Sequence, residues 1–289
     1  MMVEVLVHFV APALVGVLIG IASGLLGIGG GTVMVPIFRL AFGMSATMST
    51  ATSLFAIIPT SISGAISHVK GKTCIPALGI AAGLGGACLS PVGVWLAQLS
   101  PDWLVMLAAA LIIGYSAINM FKKAFKIPRA GQPAEGADAA AATPSLTSSG
   151  EPAVSASTAD DSSLSRKQLL QGAAIGLVAG LASGYVGVGG GFIMVPLMLS
   201  IIGIPMRKAS GTSLIAVMIL AIPGVIEQGI IGNINYLAGI AIVIGTIPGA
   251  VIGARLVTKV PERTLRLLFG CFLIVAAVML VLNEVGIFG

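Results

Sequence analysis

Apolar side chains run along this chain in blocks the length of a bilayer crossing, at about 9 to 28, 47 to 67, 74 to 98, 102 to 121, 169 to 188, 210 to 230, 235 to 257 and 264 to 285. Roughly 20 helical residues are enough to cross the hydrocarbon layer, so each block predicts a transmembrane helix. Two further apolar blocks, 32 to 42 and 192 to 203, are too short to cross. Between the halves, residues 127 to 165 are rich in Ala, Pro, Ser, Thr and Gly and lack the large apolar side chains that offset ordering entropy, so they read as a flexible linker. The pattern predicts an all-α polytopic membrane protein with a first transmembrane repeat at 1–126, the linker at 127–165 and a second repeat at 166–289.

Composition sharpens this. Of 289 residues, 57% are hydrophobic and 9% charged, against about 25% charged in soluble chains. So few charges cannot cover a water-exposed surface, which argues against a cytosolic enzyme and a nucleic-acid binder. Cys74, Cys88 and Cys271 stand singly in apolar runs, which suggests neither a zinc site nor a disulfide framework. The opening MMVEVLVHFV has no Lys or Arg before its apolar run and reads as retained rather than as a cleaved signal.

The chain also repeats itself. At an offset of 160, Ala22 to Pro36 lies over Ala182 to Pro196 with ten of fifteen positions identical, and the register continues through Thr52-Ser53-Leu54 over Thr212-Ser213-Leu214 to Pro101 over Pro261. Basic residues decide how the copies are oriented. If each copy has four crossings, the copies are parallel and the cations divide about evenly between the two faces. If each is a glycine-broken helical hairpin followed by three transmembrane helices, the copies have inverted topology, and fourteen of the fifteen Lys and Arg face one compartment, leaving only Arg39 on the other. The positive-inside rule selects the inverted arrangement, with the linker cytoplasmic and both termini outside.

The candidate chemistry lies in the breaks. Gly27-Ile28-Gly29-Gly30-Gly31 and Gly187-Val188-Gly189-Gly190-Gly191 each hold four glycines in five residues, enough to stop a helix at about 1 kcal/mol per glycine. Unwound backbone at membrane depth must be buried in protein or line a wet cavity. A short helix should restart after each break, with Pro36 and Pro196 near its first turn, so that amide donors and a positive dipole end point into the membrane centre. Such a place suits a small anion held without a charged side chain, and it needs roughly four donors at about 1.5 to 3 kcal/mol each. The amides of Gly29, Gly30, Gly31, Gly189, Gly190 and Gly191 can supply most, and the hydroxyls of Ser23, Thr32, Thr52, Ser53, Ser183, Thr212 and Ser213 the rest. Gly27, Pro36, Gly187 and Pro196 support the breaks. His68 and Glu227, at ends of the equivalent crossing in the two copies, read as interfacial snorkelling residues with proton coupling as the alternative. Scattered glycines such as Gly16, Gly20, Gly79, Gly83 and Gly93 read as close-packing faces.

The doubled GxxSGxxGxGGGxxxxP, with Thr-Ser-Leu about twenty residues downstream, resembles the signature of the TauE/SafE family of membrane permeases, named for sulfite and organosulfonate export. The resemblance covers both apolar halves. It implies a multi-pass protein of the cytoplasmic membrane that moves small anions, such as sulfur oxyanions or organosulfonates, without a bound cofactor and without catalysis. Its expected partners are the lipid bilayer, the anionic substrate and, with the question left open, a second copy in a homo-oligomer. Thr32 is replaced by Phe192 in the second copy, so a hydroxyl there is one-sided. A passive anion channel and a membrane subunit of a larger assembly are the alternatives.

Overall fold

The computed structural model describes residues 11–125 and 165–284. The linker and the two chain ends, with the expectations placed on them, lie outside the described residues. Ten helices follow in order: α1 (Ala11–Leu26), α2 (Gly31–Phe42), α3 (Ala46–Lys70), α4 (Pro76–Leu99), α5 (Asp102–Phe125), α6 (Arg166–Val186), α7 (Gly191–Leu197, prolonged by a π-helical turn over Met198–Ile202), α8 (Met206–Ile231), α9 (Tyr236–Leu256) and α10 (Glu262–Glu284). Seven of them, α3 to α6 and α8 to α10, are long and apolar enough to cross a membrane. Large apolar side chains face outward, among them Leu14, Leu111 and Ile230, an arrangement that lipid tolerates and water does not. The expected all-α, multi-pass architecture is therefore present.

Ends of the elements follow local chemistry. Ser165 opens α6 with a capping box, its hydroxyl bonded at the helix start while the Gln168 side chain returns to the Ser165 amide. The short helices α2 and α7 close on Gly43 (φ 62°) and Gly203 (φ 77°), left-handed caps that glycine adopts without strain. Pro36 and Pro196 lie inside these helices, at the sixth residue of each and not in the first turn as the sequence suggested. There each proline lacks the amide that would bond the carbonyl four residues back, at Thr32 or Phe192.

The helices pack by exchange between the halves. α1 lies against α9 and α6 against α4, while α3 meets α8 and α5 meets α10. Glycine makes the first two contacts close. A Cβ at Gly16, Gly20 or Gly24 would lie 2.5, 2.4 or 2.1 Å from the carbonyl oxygens of Ile242, Thr246 and Ala250. In the other pair, Cβ atoms at Gly176, Gly180 and Gly184 would lie 1.9, 2.1 and 2.1 Å from those of Ala82, Gly86 and Ser90, each partner 160 residues from its counterpart. Without a hydrophobic force between helices in lipid, such backbone-to-backbone contact is what holds them together.

Polar ties are exchanged in the same way. Thr212 Oγ1 accepts the Ile75 N–H (2.9 Å) at the start of α4, and Thr52 Oγ1 accepts the Asn235 N–H (3.0 Å) at the start of α9. His68, fully buried, does not snorkel. Its ring meets the Thr73 hydroxyl through Nδ1 (2.7 Å) and the Gly24 carbonyl through Nε2 (2.8 Å). Its counterpart Gln228, also buried, accepts from the amide of Asn233 (2.8 Å), the counterpart of Thr73. Histidine and glutamine thus do the same work at one position of the repeat, fastening the turn that follows a long helix. Glu227 is half-buried, one residue before Gln228.

Candidate functional site

Both glycine segments interrupt their helices. Gly27, Gly29 and Gly30 have φ of 76, 81 and 86°, and Gly187, Gly189 and Gly190 have 72, 87 and 66°, left-handed values that an L side chain rarely adopts. The chain leaves α1 after Leu26, turns through the four residues 27–30 and re-enters helix at Gly31; between α6 and α7 it does the same through 187–190. Every residue from Ser23 to Thr32, and from Val186 to Phe192, is buried.

The two breaks touch. A Cβ on Gly31 would stand 2.5 Å from the Val188 carbonyl oxygen, and one on Gly191 would stand 2.5 Å from that of Gly27. Ile57 of α3 and Val217 of α8 grip both: their side chains are the neighbours of Gly29 and Gly189 alike. These two residues sit near the middle of helices 25 and 26 residues long, so the breaks meet at half the height of the bundle.

Carbonyl groups freed by the breaks are held by the opposite half. Ser53 Oγ donates to the Gly187 carbonyl, and Ser213 Oγ donates to that of Gly27 (2.7 Å). The Ser53 and Ser213 hydroxyls are therefore committed to backbone, as Thr52 and Thr212 are to the helix starts described above. Replacing Ser53 or Ser213 by alanine should leave a buried carbonyl unpaired and lower stability by about 1 to 3 kcal/mol. The exchange makes the two losses alike, and thermal unfolding in detergent measures both. Unequal losses, or none, would show that these bonds do not hold the breaks.

Donors remain. The amides of Val33 and Met34 bond to Gly30 O (3.3 and 3.1 Å), leaving those of Gly29, Gly30, Gly31 and Thr32 without an acceptor among the described residues. In the second break Gly191 N–H bonds to Gly189 O (2.7 Å), which leaves Gly189, Gly190 and Phe192 in the same position. Ser23, Thr32, Ser61 and Ser183 are fully buried, and their hydroxyls lack a partner among the described residues. Ser23 and Ser183 stand beside Gly30 and Gly190, and Ser61 Oγ would be 3.5 Å from a Cβ on Gly29. An unpaired buried hydroxyl costs about 1 to 3 kcal/mol, so four in and beside the two breaks are donors suited to an acceptor-rich guest.

Sequence reasoning missed Ile57, Val217 and Ser61. Helical spacing finds them: Ile57 and Ser61 follow Ser53 by four and eight residues on one face of α3, and Val217 follows Ser213 by four. Ser61 has no hydroxyl counterpart, since Ala221 occupies the equivalent position as Phe192 does that of Thr32. Polarity is thus concentrated on the first copy's side of the contact.

Comparison with known proteins finds relatives described as probable membrane transporters. "Probable membrane transporter protein YunE" of Bacillus subtilis (strain 168) is 26% identical over 289 residues, covering 97% of this chain and 99% of that relative. "Probable membrane transporter protein YdhB" of the same organism is 27% identical over 254 residues, covering 88% and 92%. A "Probable membrane transporter protein" of Haemophilus influenzae is 28% identical over 290 residues, covering 93% and 97%. No solved structure matches the chain significantly. The family described as "Sulfite exporter TauE/SafE" matches residues 12–280, and with the doubled glycine break on a multi-pass helical frame, the chain belongs to that family of membrane transporters.

Proposed function

We propose that the protein is a secondary transporter of a small anion, a sulfur oxyanion or organosulfonate, which binds between the two glycine breaks and is exposed alternately to the two sides of the membrane. One observation carries the reading: amides of the two touching breaks, and hydroxyls in and beside them, are buried and without a partner among the described residues. An anion there takes charge-assisted hydrogen bonds from main-chain donors, and a binding site free of Lys and Arg releases it readily. In the conformation described the breaks are packed together and sealed by Ile57 and Val217, which suits an occluded state.

The exchanged contacts support two copies related by a pseudo-twofold axis, and the distribution of basic residues supports the inverted arrangement, with the breaks near the membrane midplane. Movement of one hairpin against α3 and α8 then opens the site to one side at a time. The linker between the copies is assigned to the cytoplasm and the termini to the outside on the distribution of basic residues.

Proteoliposomes containing the full chain, offered sulfite, thiosulfate, an alkanesulfonate and a carboxylate with and without proton or sodium gradients, should show saturable flux of the sulfur anions. Thr32→Val and Ser61→Ala each remove a donor, so each should raise KM about tenfold or more. Flux that does not saturate would mean a channel. Unchanged KM in both variants would move the site away from the breaks.

A further inference from the structure

A second binding place lies on the flank of the bundle. α3 and α9 leave between them a groove of about 740 Å³. Its length is apolar, walled by Ile62 and Ile66 on α3 and by Ile247 and Val251 on α9, and Lys70 and Arg255 stand at one end of it. Ser63 Oγ donates to the Ile247 carbonyl (2.8 Å), so that polar group is satisfied inside the wall and the surface offered is hydrocarbon. Ile62 and Ile66 are 38% and 50% exposed, which turns the groove toward lipid and away from the breaks.

Charge and shape are complementary to one kind of molecule. No carboxylate among the described residues is paired with Lys70 or Arg255. A positive-inside signal could be placed on connecting loops, as Lys72 and Lys259 are; Lys70 and Arg255 instead stand on helix faces at the mouth of an apolar slot. Nor does the repeated fold require them. At the equivalent positions of the other copy stand Ile230 and Trp95, and Ser67 becomes Glu227.

We infer that the α3–α9 groove is a site for an anionic phospholipid, its phosphate between Lys70 and Arg255 and an acyl chain along the isoleucine-lined slot. A paired guanidinium and ammonium at the membrane surface recognise a phosphodiester, and the apolar slot adds a requirement for the tail that a free inorganic anion does not meet. This site is separate from the glycine breaks and does not depend on which anion is carried.

Native mass spectrometry of the full chain, released from micelles holding equimolar phosphatidylglycerol and phosphatidylcholine of matched chains, tests the assignment. The wild type should retain phosphatidylglycerol preferentially. At about fivefold per cation, Lys70→Gln with Arg255→Gln should cut that preference by about twenty-five-fold, whereas Lys167→Gln with Arg263→Gln, removing equal charge elsewhere, should leave it. Val251→Trp, which keeps both cations and blocks the slot, should also weaken retention, and it guards against a folding defect in the charge variant. Preference unchanged in the Lys70/Arg255 pair, or lost equally in the control pair, overturns the site. Displacement of phosphatidylglycerol by sodium sulfate beyond that by sodium chloride of equal ionic strength would make the cations a docking point for the water-soluble anion and likewise overturn it.

Discussion

Alanine at Gly31 or at Gly191 should lower transport by about a hundredfold while the protein still inserts and remains monodisperse. Neither glycine has a left-handed φ, so alanine meets no backbone strain there; the obstacle is contact alone. Each new methyl would lie 2.5 Å from a carbonyl oxygen of the opposite break, where ordinary contact begins at 3.4 Å. A main-chain carbonyl cannot rotate aside as a side-chain tip can, so the breaks must part by about 1 Å, a misplacement that commonly costs two orders of magnitude at a preorganised site. The stability loss should stay near 1 to 3 kcal/mol, the usual range for overpacking. Gly114→Ala, with nothing near its Cβ position, serves as the neutral control. Flux in proteoliposomes beside thermal unfolding in detergent checks the pair of outcomes. Transport within twofold of wild type in both variants would mean that contact between the breaks is unimportant.

Valine at Gly245 or Gly176 should act on the frame instead, and more severely. The first Cβ would lie 1.8 Å from the Ala13 carbonyl oxygen and the second 1.9 Å from that of Ala82, inside the contacts of α9 with α1 and of α4 with α6. A β-branched side chain in either place drives apart helices that only backbone contact holds, at about 3 kcal/mol or more. The expected result is loss of the monodisperse peak in size-exclusion chromatography for both, with little protein left to assay. Well-folded protein of unchanged melting temperature from either variant would show that these faces tolerate separation.

The frame was legible because lipid imposes so few solutions. Seven of the eight apolar blocks of spanning length became α3 to α6 and α8 to α10 with ends shifted by a few residues, the block at 9 to 28 being described only as the shorter α1, and four glycines in five residues stopped two helices where expected. Internal repetition added more than composition did, since the 160-residue register anticipates which contacts have counterparts. Side-chain roles were harder to read. Thr52, Ser53, Thr212 and Ser213 were visible as polar residues beside the breaks, but only coordinates reveal that their hydrogen bonds go to the main chain of the other half. His68 near a helix end suggested snorkelling, yet it is buried because α1 passes over it and its Nε2 meets Gly24 O. Ile57 and Val217 were hidden by being ordinary aliphatics in apolar helices. Pattern alone marks such residues as core, and nothing local distinguishes a core residue from one that closes a site.

Exchanged packing has a consequence for biosynthesis. The ribosome delivers α1 and α4 into the bilayer before α9 and α6 exist, so the glycine-rich faces of the first half stay bare among acyl chains until their partners emerge. Nascent α1 must wait until α9, which begins only at Tyr236, has been made. A ribosome that stalls after the first half therefore leaves behind an integral fragment with two unmatched seams, a natural substrate for membrane proteases.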